Sequence, residues 1–221
     1  MSFEPAPDPS IAPGARAAGA AGAVERLRQL REASAQGSAD AHYEIGCMFN
    51  TGELGVRDAA EAASWWGLAA LGGHVRAQCE FGRLHLRGDG VARDLAVARI
   101  WLDAAAAQGD AAAKYELGML ALEPEGEGAE AAVRWFVPAS AGGHSCAQYQ
   151  LGIAYRDGCG LARDEESAMY WLDAASARGC ALAAYALAEL GWRGRRVPPR
   201  RPQRNLQCLP ACTLGGGRQR D

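Results

Sequence analysis

Four successive stretches of this chain, residues 39–74, 75–110, 111–144 and 145–180, carry the same residue types in the same order. Each opens on an alanine-led segment, Ala41-His-Tyr-Glu-Ile-Gly46 in the first and Ala147-Gln-Tyr-Gln-Leu-Gly152 in the last. Glycine recurs at Gly46, Gly82, Gly118 and Gly152, tryptophan at Trp65, Trp101, Trp135 and Trp171, and a closing glycine at Gly73, Gly109, Gly143 and Gly179. A period of 34–36 residues is the mark of a helical repeat array, in which each unit buries its apolar face only by stacking on the next. The expected fold is therefore all-α, an α-solenoid of four full repeats with partial or degenerate units at its ends.

The second copy shows how one repeat is built. Between Val75 and Leu86, Ala77, Phe81, Leu84 and His85 recur at spacings of three and four, which places them on one side of a helix. Gly88 and Gly90 then break that helix in a tight link. Asp94 stands where a carboxylate would cap the next helix, as do Asp58 and Asp164, and Glu61 gives Asp58 a capping-box pattern. The second helix runs through Ala98, Trp101, Leu102 and Ala105 and stops at Gly109. Glycine inside a helix costs about 1 kcal/mol against alanine, so Gly82 and its equivalents imply close approach of the partner helix. The Trp101 class is expected to pack across that crossing.

The repeat frame sets the expected organisation. Residues 1–20, with Pro5, Pro7, Pro9 and Pro13, read as a disordered leader, and 21–38 as a lone capping helix. Residues 181–216 read as a degenerate fifth repeat, weakened by Pro198, Pro199, Pro202 and Pro210, followed by a short tail at 217–221. The third repeat is the irregular one, with Glu123-Pro-Glu-Gly-Glu-Gly128 in its link and an expected kink at Pro138.

Composition narrows the function classes. The net charge of −3 conceals an asymmetry, because residues 193–220 carry eight arginines and no acid. No basic stretch precedes an apolar one at the N-terminus, and no run is apolar enough to span a membrane, so a cytoplasmic protein is expected. The seven cysteines fall at irregular repeat positions, which suits free thiols in a reducing compartment rather than a disulfide framework.

The emergent consensus is Ala-x-x-x-Leu-Gly, then Gly-x-Gly-Val-x-x-Asp, then Ala-x-x-Trp and Ala-Ala-x-x-Gly. The second copy supplies Phe81-Gly82, Gly88-Asp-Gly90-Val91-Ala-Arg-Asp94, Ala98-Arg-Ile-Trp101 and Ala104-Ala105-Ala-Ala-Gln-Gly109. The fourth supplies Leu151-Gly152, Gly158-Cys-Gly160-Leu161-Ala-Arg-Asp164 and Ala168-Met-Tyr-Trp171. This pattern resembles the Sel-one-like repeat family, a relative of the tetratricopeptide repeats. The resemblance implies a right-handed superhelix of antiparallel helix pairs that acts as an adaptor for other proteins, often in bacterial signalling or envelope processes. Some secreted relatives carry a disulfide in each repeat, and this chain lacks that cysteine pairing. A single lysine, Lys114, among many arginines and alanines fits a GC-rich bacterial coding sequence.

No catalytic constellation is legible. The histidines His42, His74, His85 and His144 are dispersed, no cluster has metal-ligand spacing, and no serine sits in an activating motif. Neither a catalytic residue nor a cofactor is therefore expected. A β-lactam-binding hydrolase is the alternative the resemblance supplies. The arginine-rich segment supplies another, a nucleic-acid or acidic membrane-surface binder, against which stands the missing aromatic interleaving, with Trp192 alone at its edge. An unidentified protein or peptide is the expected partner. Helical spacing puts the second, sixth, ninth and thirteenth positions of each first helix on one concave face. Those positions hold Asp40, Glu44, Cys47 and Thr51; Arg76, Glu80, Arg83 and Arg87; Ala112, Glu116 and Met119; and Cys146, Gln150, Ile153 and Asp157. A mixed-charge groove with Met119 and Ile153 as its apolar floor is the expectation.

Overall fold

A computed structural model describes residues 13–191, with side chains from residue 22. The first twelve residues, the second helix expected for the fifth repeat and the arginine-rich segment 193–220 lie outside the described residues. Every regular element among the described residues is an α-helix. The chain divides into two compact units, Met1–Trp101 and Leu102–Asp221.

The first unit holds α1 (Pro13–Ala35), α2 (Ala39–Thr51), α3 (Ala59–Leu71), α4 (Val75–Arg87) and the start of α5 (Leu95–Ala107). Its helices pack in chain order, α1 on α2, α2 on α3 and α3 on α4. The second unit continues α5 and adds α6 (Ala111–Ala121), α7 (Ala129–Ala141), α8 (Ser145–Asp157), α9 (Glu165–Ala177) and α10 (Ala181–Gly191). There α6 packs on α7, α7 on α8, α8 on α9, and α10 on both α9 and α8. The architecture is thus the expected all-α series of consecutive helix pairs.

One boundary differs from the sequence expectation. Helix α1 starts at Pro13 rather than near residue 21. Alanine is the strongest helix former, and proline is tolerated in the first turn because its missing N–H would have no partner there. Pro138 sits inside α7 without ending it, and that helix has Gly128 at its N-cap, with no side-chain cap.

The glycine inside the first helix of the first, third and fourth repeats does mark a close crossing, but the tryptophan of the repeat does not fill it. A Cβ on Gly46 would stand 2.4 Å from the ring of Trp66, not Trp65. On Gly118 it would meet Phe136 at 2.4 Å, and on Gly152 it would meet Leu172 at 2.7 Å. The filling residue is therefore one position past the recurrent Trp65, Trp135 and Trp171. These three and Trp101 are only half-buried. Trp65 tilts against His42 at 5.8 Å, and Trp101 meets Phe81 edge-on at 5.6 Å. One residue turns a helix by about 100°, so the neighbouring position faces a different surface.

The links close with side chains from the sequence pattern. Asp58 accepts from the amides of Ala60 and Glu61, Asp94 from those of Ala96 and Val97, and Asp164 from that of Glu166. Gly90 holds a positive φ of 72°, and a Cβ there would come within 2.3 Å of the Ala59 carbonyl carbon. Gly160 stands in the same relation to Ala129, at 2.5 Å. The second glycine of the link is needed because that link lies directly on the backbone that starts another helix.

Candidate binding cavity

The site begins with Tyr43, which α2 buries in the core of the first unit. Its ring stacks on the Trp66 ring at 6.4 Å and on the imidazole of His74 at 4.4 Å. Trp66 donates its indole N–H to the Tyr43 carbonyl at 3.2 Å. Burial pushes the Tyr43 phenol well above its ordinary range, and its hydrogen bond with Cys47 pushes in the same direction. The phenol is therefore a fixed, neutral group at the base of the site.

Above it opens a cavity of about 340 Å³. Helix α2 contributes Cys47, Asn50 and Thr51, and α4 contributes Glu80, Arg83, Leu84 and Arg87. Arg57 and Asp89, from two different links, complete the rim. Arg83 pairs with Glu80 at 3.0 Å, both side chains about one-third exposed. Arg57 donates to Asn50 Oδ1 at 3.1 Å and forms a short ion pair with Asp89. The guanidinium of Arg87, in the last turn of α4, makes no ion pair or hydrogen bond with any described residue.

Of the residues expected on the concave face, the structure brings Glu80, Arg83 and Arg87 together with Cys47 and Thr51 in this cavity. Glu44 is occupied elsewhere, in an ion pair with Arg26 of α1. Arg76 lies over the Tyr43 ring at 5.4 Å, a cation–π contact. In the second unit Glu116 and Met119 are half-buried, Met119 against the core. Gln150 and Ile153 are 3% and 4% exposed, so the expected apolar floor is core rather than open surface. Gln150 donates to the Met119 sulfur at 3.7 Å, and Ile153 packs with Tyr149 and Leu172.

Spacing along one helix missed Asn50, Arg57 and Asp89. A signal existed for Arg57, because an arginine precedes the capping aspartate in Arg57-Asp58, Arg93-Asp94 and Arg163-Asp164. The three arginines do different work: Arg93 donates to the Leu86 carbonyl at 3.0 Å, and Arg163 pairs with Glu165 at 2.6 Å. Only the fold distinguishes them.

The histidines have structural employment. The Nδ1 of His74 accepts from the Ala77 amide at 3.1 Å, and that of His144 from the Ala147 amide at 3.2 Å. Both cap first helices, the place that Ser38 and Asp110 hold in α2 and α6. Among the described residues no group of three or more His, Cys, Asp and Glu could hold a metal ion. No described helix is long and apolar enough to cross a membrane.

The sequence matches the Sel1 repeat family over residues 39–74, 75–110, 111–144, 147–180 and 181–201. No curated protein sequence matches it. Among solved structures, a protective antigen of uropathogenic Escherichia coli displaying an SLR fold is 31% identical, with a TM-score of 0.71. That match covers 76% of this chain and 36% of the antigen. A Sel1 repeat protein of Oxalobacter formigenes is 32% identical with a TM-score of 0.65, over 74% of this chain and 48% of that one. The chain thus spans about a third of the first relative and about half of the second. An immunity protein of Pseudomonas aeruginosa, 21% identical over 86% of this chain and 75% of its own, with a TM-score of 0.51, shares the fold.

Proposed function

Since the chain belongs to the Sel1 repeat family, we propose that it is a non-catalytic scaffold that receives a partner protein or peptide on the first-helix face of its first unit. The observation that carries this reading is the α2–α4 cavity, where side chains from two repeats and two links converge on one open space. Helical repeats expose such faces, and their variable residues supply specificity while the repeat marks hold the frame. The placement is a regulatory complex of the bacterial cytoplasm. The bacterial sources of the similar structures support it, as do the five described cysteines, all of them free.

The test is affinity capture from the source cell with the full chain as bait, beside the charge-reversed Glu80→Arg/Arg83→Glu chain. A partner held by the first and lost by the second, with helix content equal in both, supports the scaffold and its face. The same proteins on both baits would remove the cavity from the reading.

A further inference from the structure

The repeat supplies an internal control for this cavity. Two repeats further on, the same slots carry different chemistry: Gln150 for Glu80, Ile153 for Arg83, Asp157 for Arg87, Met119 for Cys47 and Leu122 for Asn50. In the second unit Gln150 and Ile153 are buried, and Met119 and Leu122 pack against the core. The fold therefore accepts apolar side chains at three of these five slots, with Gln150 buried and Asp157 left exposed. Charges in the first unit are not needed to build the helices. A basic residue at the end of α4 suits the helix dipole, which accounts for Arg87 alone and not for Arg57 and Arg83 beside it.

The charges are also unequal. The cavity has Arg57, Arg83 and Arg87 against Glu80 and Asp89. Both carboxylates are engaged, Glu80 by Arg83 and Asp89 by Arg57. What remains is the guanidinium of Arg87, above a floor of Trp66, Leu84 and the neutral Tyr43. A guanidinium with no acceptor among the described residues, at the edge of a partly apolar cavity, is matched by a carboxylate that can take its donors in a charge-assisted pair.

We infer that the α2–α4 cavity binds an acidic segment of the partner, with a glutamate or aspartate side chain meeting Arg87 between Arg57 and Arg83. This rests on the scaffold reading and names the chemistry of its ligand. Electrostatic complementarity of this kind speeds encounter and selects against basic or neutral segments.

The test uses fluorescence anisotropy with the full chain and two fluorescein-labelled decapeptides, one alternating glycine with glutamate and the other glycine with glutamine. The glutamate peptide is expected to bind roughly tenfold or more tightly than the glutamine peptide at low salt, since one hydrogen-bonded charge contributes that much. Arg87→Ala should reduce the preference. The exchange Glu80→Gln/Arg83→Ile/Arg87→Asp, which imports residues the second unit carries in the same slots of α8, should abolish it with helix content unchanged. Equal binding of the two peptides would overturn the inference. So would a preference that survives the exchange, which would place the acidic ligand on the arginine-rich segment 193–220. If either happens while Glu80→Arg/Arg83→Glu still loses its captured partner, the scaffold stands and only the acidic ligand falls.

Discussion

Trp66 lies across Gly46 where α2 and α3 cross, and its indole N–H donates to the Tyr43 carbonyl three residues up the facing helix at 3.2 Å. The contact joins two things that a sequence shows separately. Glycine removes the Cβ, and a large ring then comes close enough to bond the backbone it has exposed. The same notch receives Phe136 at Gly118 and Leu172 at Gly152, so its shape is kept while the filler varies.

Truncation should therefore separate two adjacent tryptophans. Trp66 is 2% exposed, and Trp66→Ala should cost about 3–5 kcal/mol, the range for a large aromatic lost from a core. Trp65 is half-buried, and Trp65→Ala should cost distinctly less. Chemical denaturation of both variants measures the difference, and equal costs would contradict the packing.

Substitutions of glycine should change sign with position. Gly46→Ala gains up to about 1 kcal/mol of helix propensity, but its methyl would press on the Trp66 ring at 2.4 Å. Overpacking of that kind costs about 1–3 kcal/mol, so the net effect is a loss. At Gly22, inside α1, a Cβ meets nothing within 4 Å, and Gly22→Ala should stabilise the chain or leave it unchanged. Thermal melts of the pair test the crossing directly.

Ser140 is a buried hydroxyl that makes no hydrogen bond in the structure, in the slot that Ala70 holds in the first repeat. The backbone there has the same duty in both repeats: Ala70 O accepts from Gln78 and Ser140 O from Gln148, each at 3.2 Å. Ser140→Ala keeps that bond and removes an unsatisfied group, so it should stabilise by about 1 kcal/mol. A lowered denaturation midpoint would show that the hydroxyl has a partner after all.

The cap of α9 makes a prediction in pH. The Ser167 hydroxyl donates to Asp164 at 2.6 Å, and this bond holds the carboxyl below its ordinary value of 3.8, helped by backbone amides. The contribution of the cap is then fully present above that value and is lost as pH falls through the lower, folded one. An NMR titration should place the Asp164 midpoint below 3.8, and Ser167→Ala should raise it.

The failures of the sequence reading share one cause. Sequence spacing ranked Trp65 and Trp101 first because tryptophan recurs, yet the buried partner is one position later and its identity changes between Trp66, Phe136 and Leu172. The same rule put Ile153 and Gln150 on the groove with Arg83 and Glu80, although the second unit buries the pair.

The period, the all-α class, the glycine notches and the aspartate caps were legible in the sequence alone. Each depends on local backbone requirements that recur along the chain: a missing Cβ, a positive φ, an acceptor for free amides. The tertiary structure decided which face of each helix meets its neighbour, and so which aromatic is core and which slot is open. It also brought Arg57 and Asp89 from separate links to the rim that Arg87 shares. A turn of about 100° per residue about a helix axis leaves the repeat period unchanged but moves a side chain from core to surface, and only packing selects that rotation.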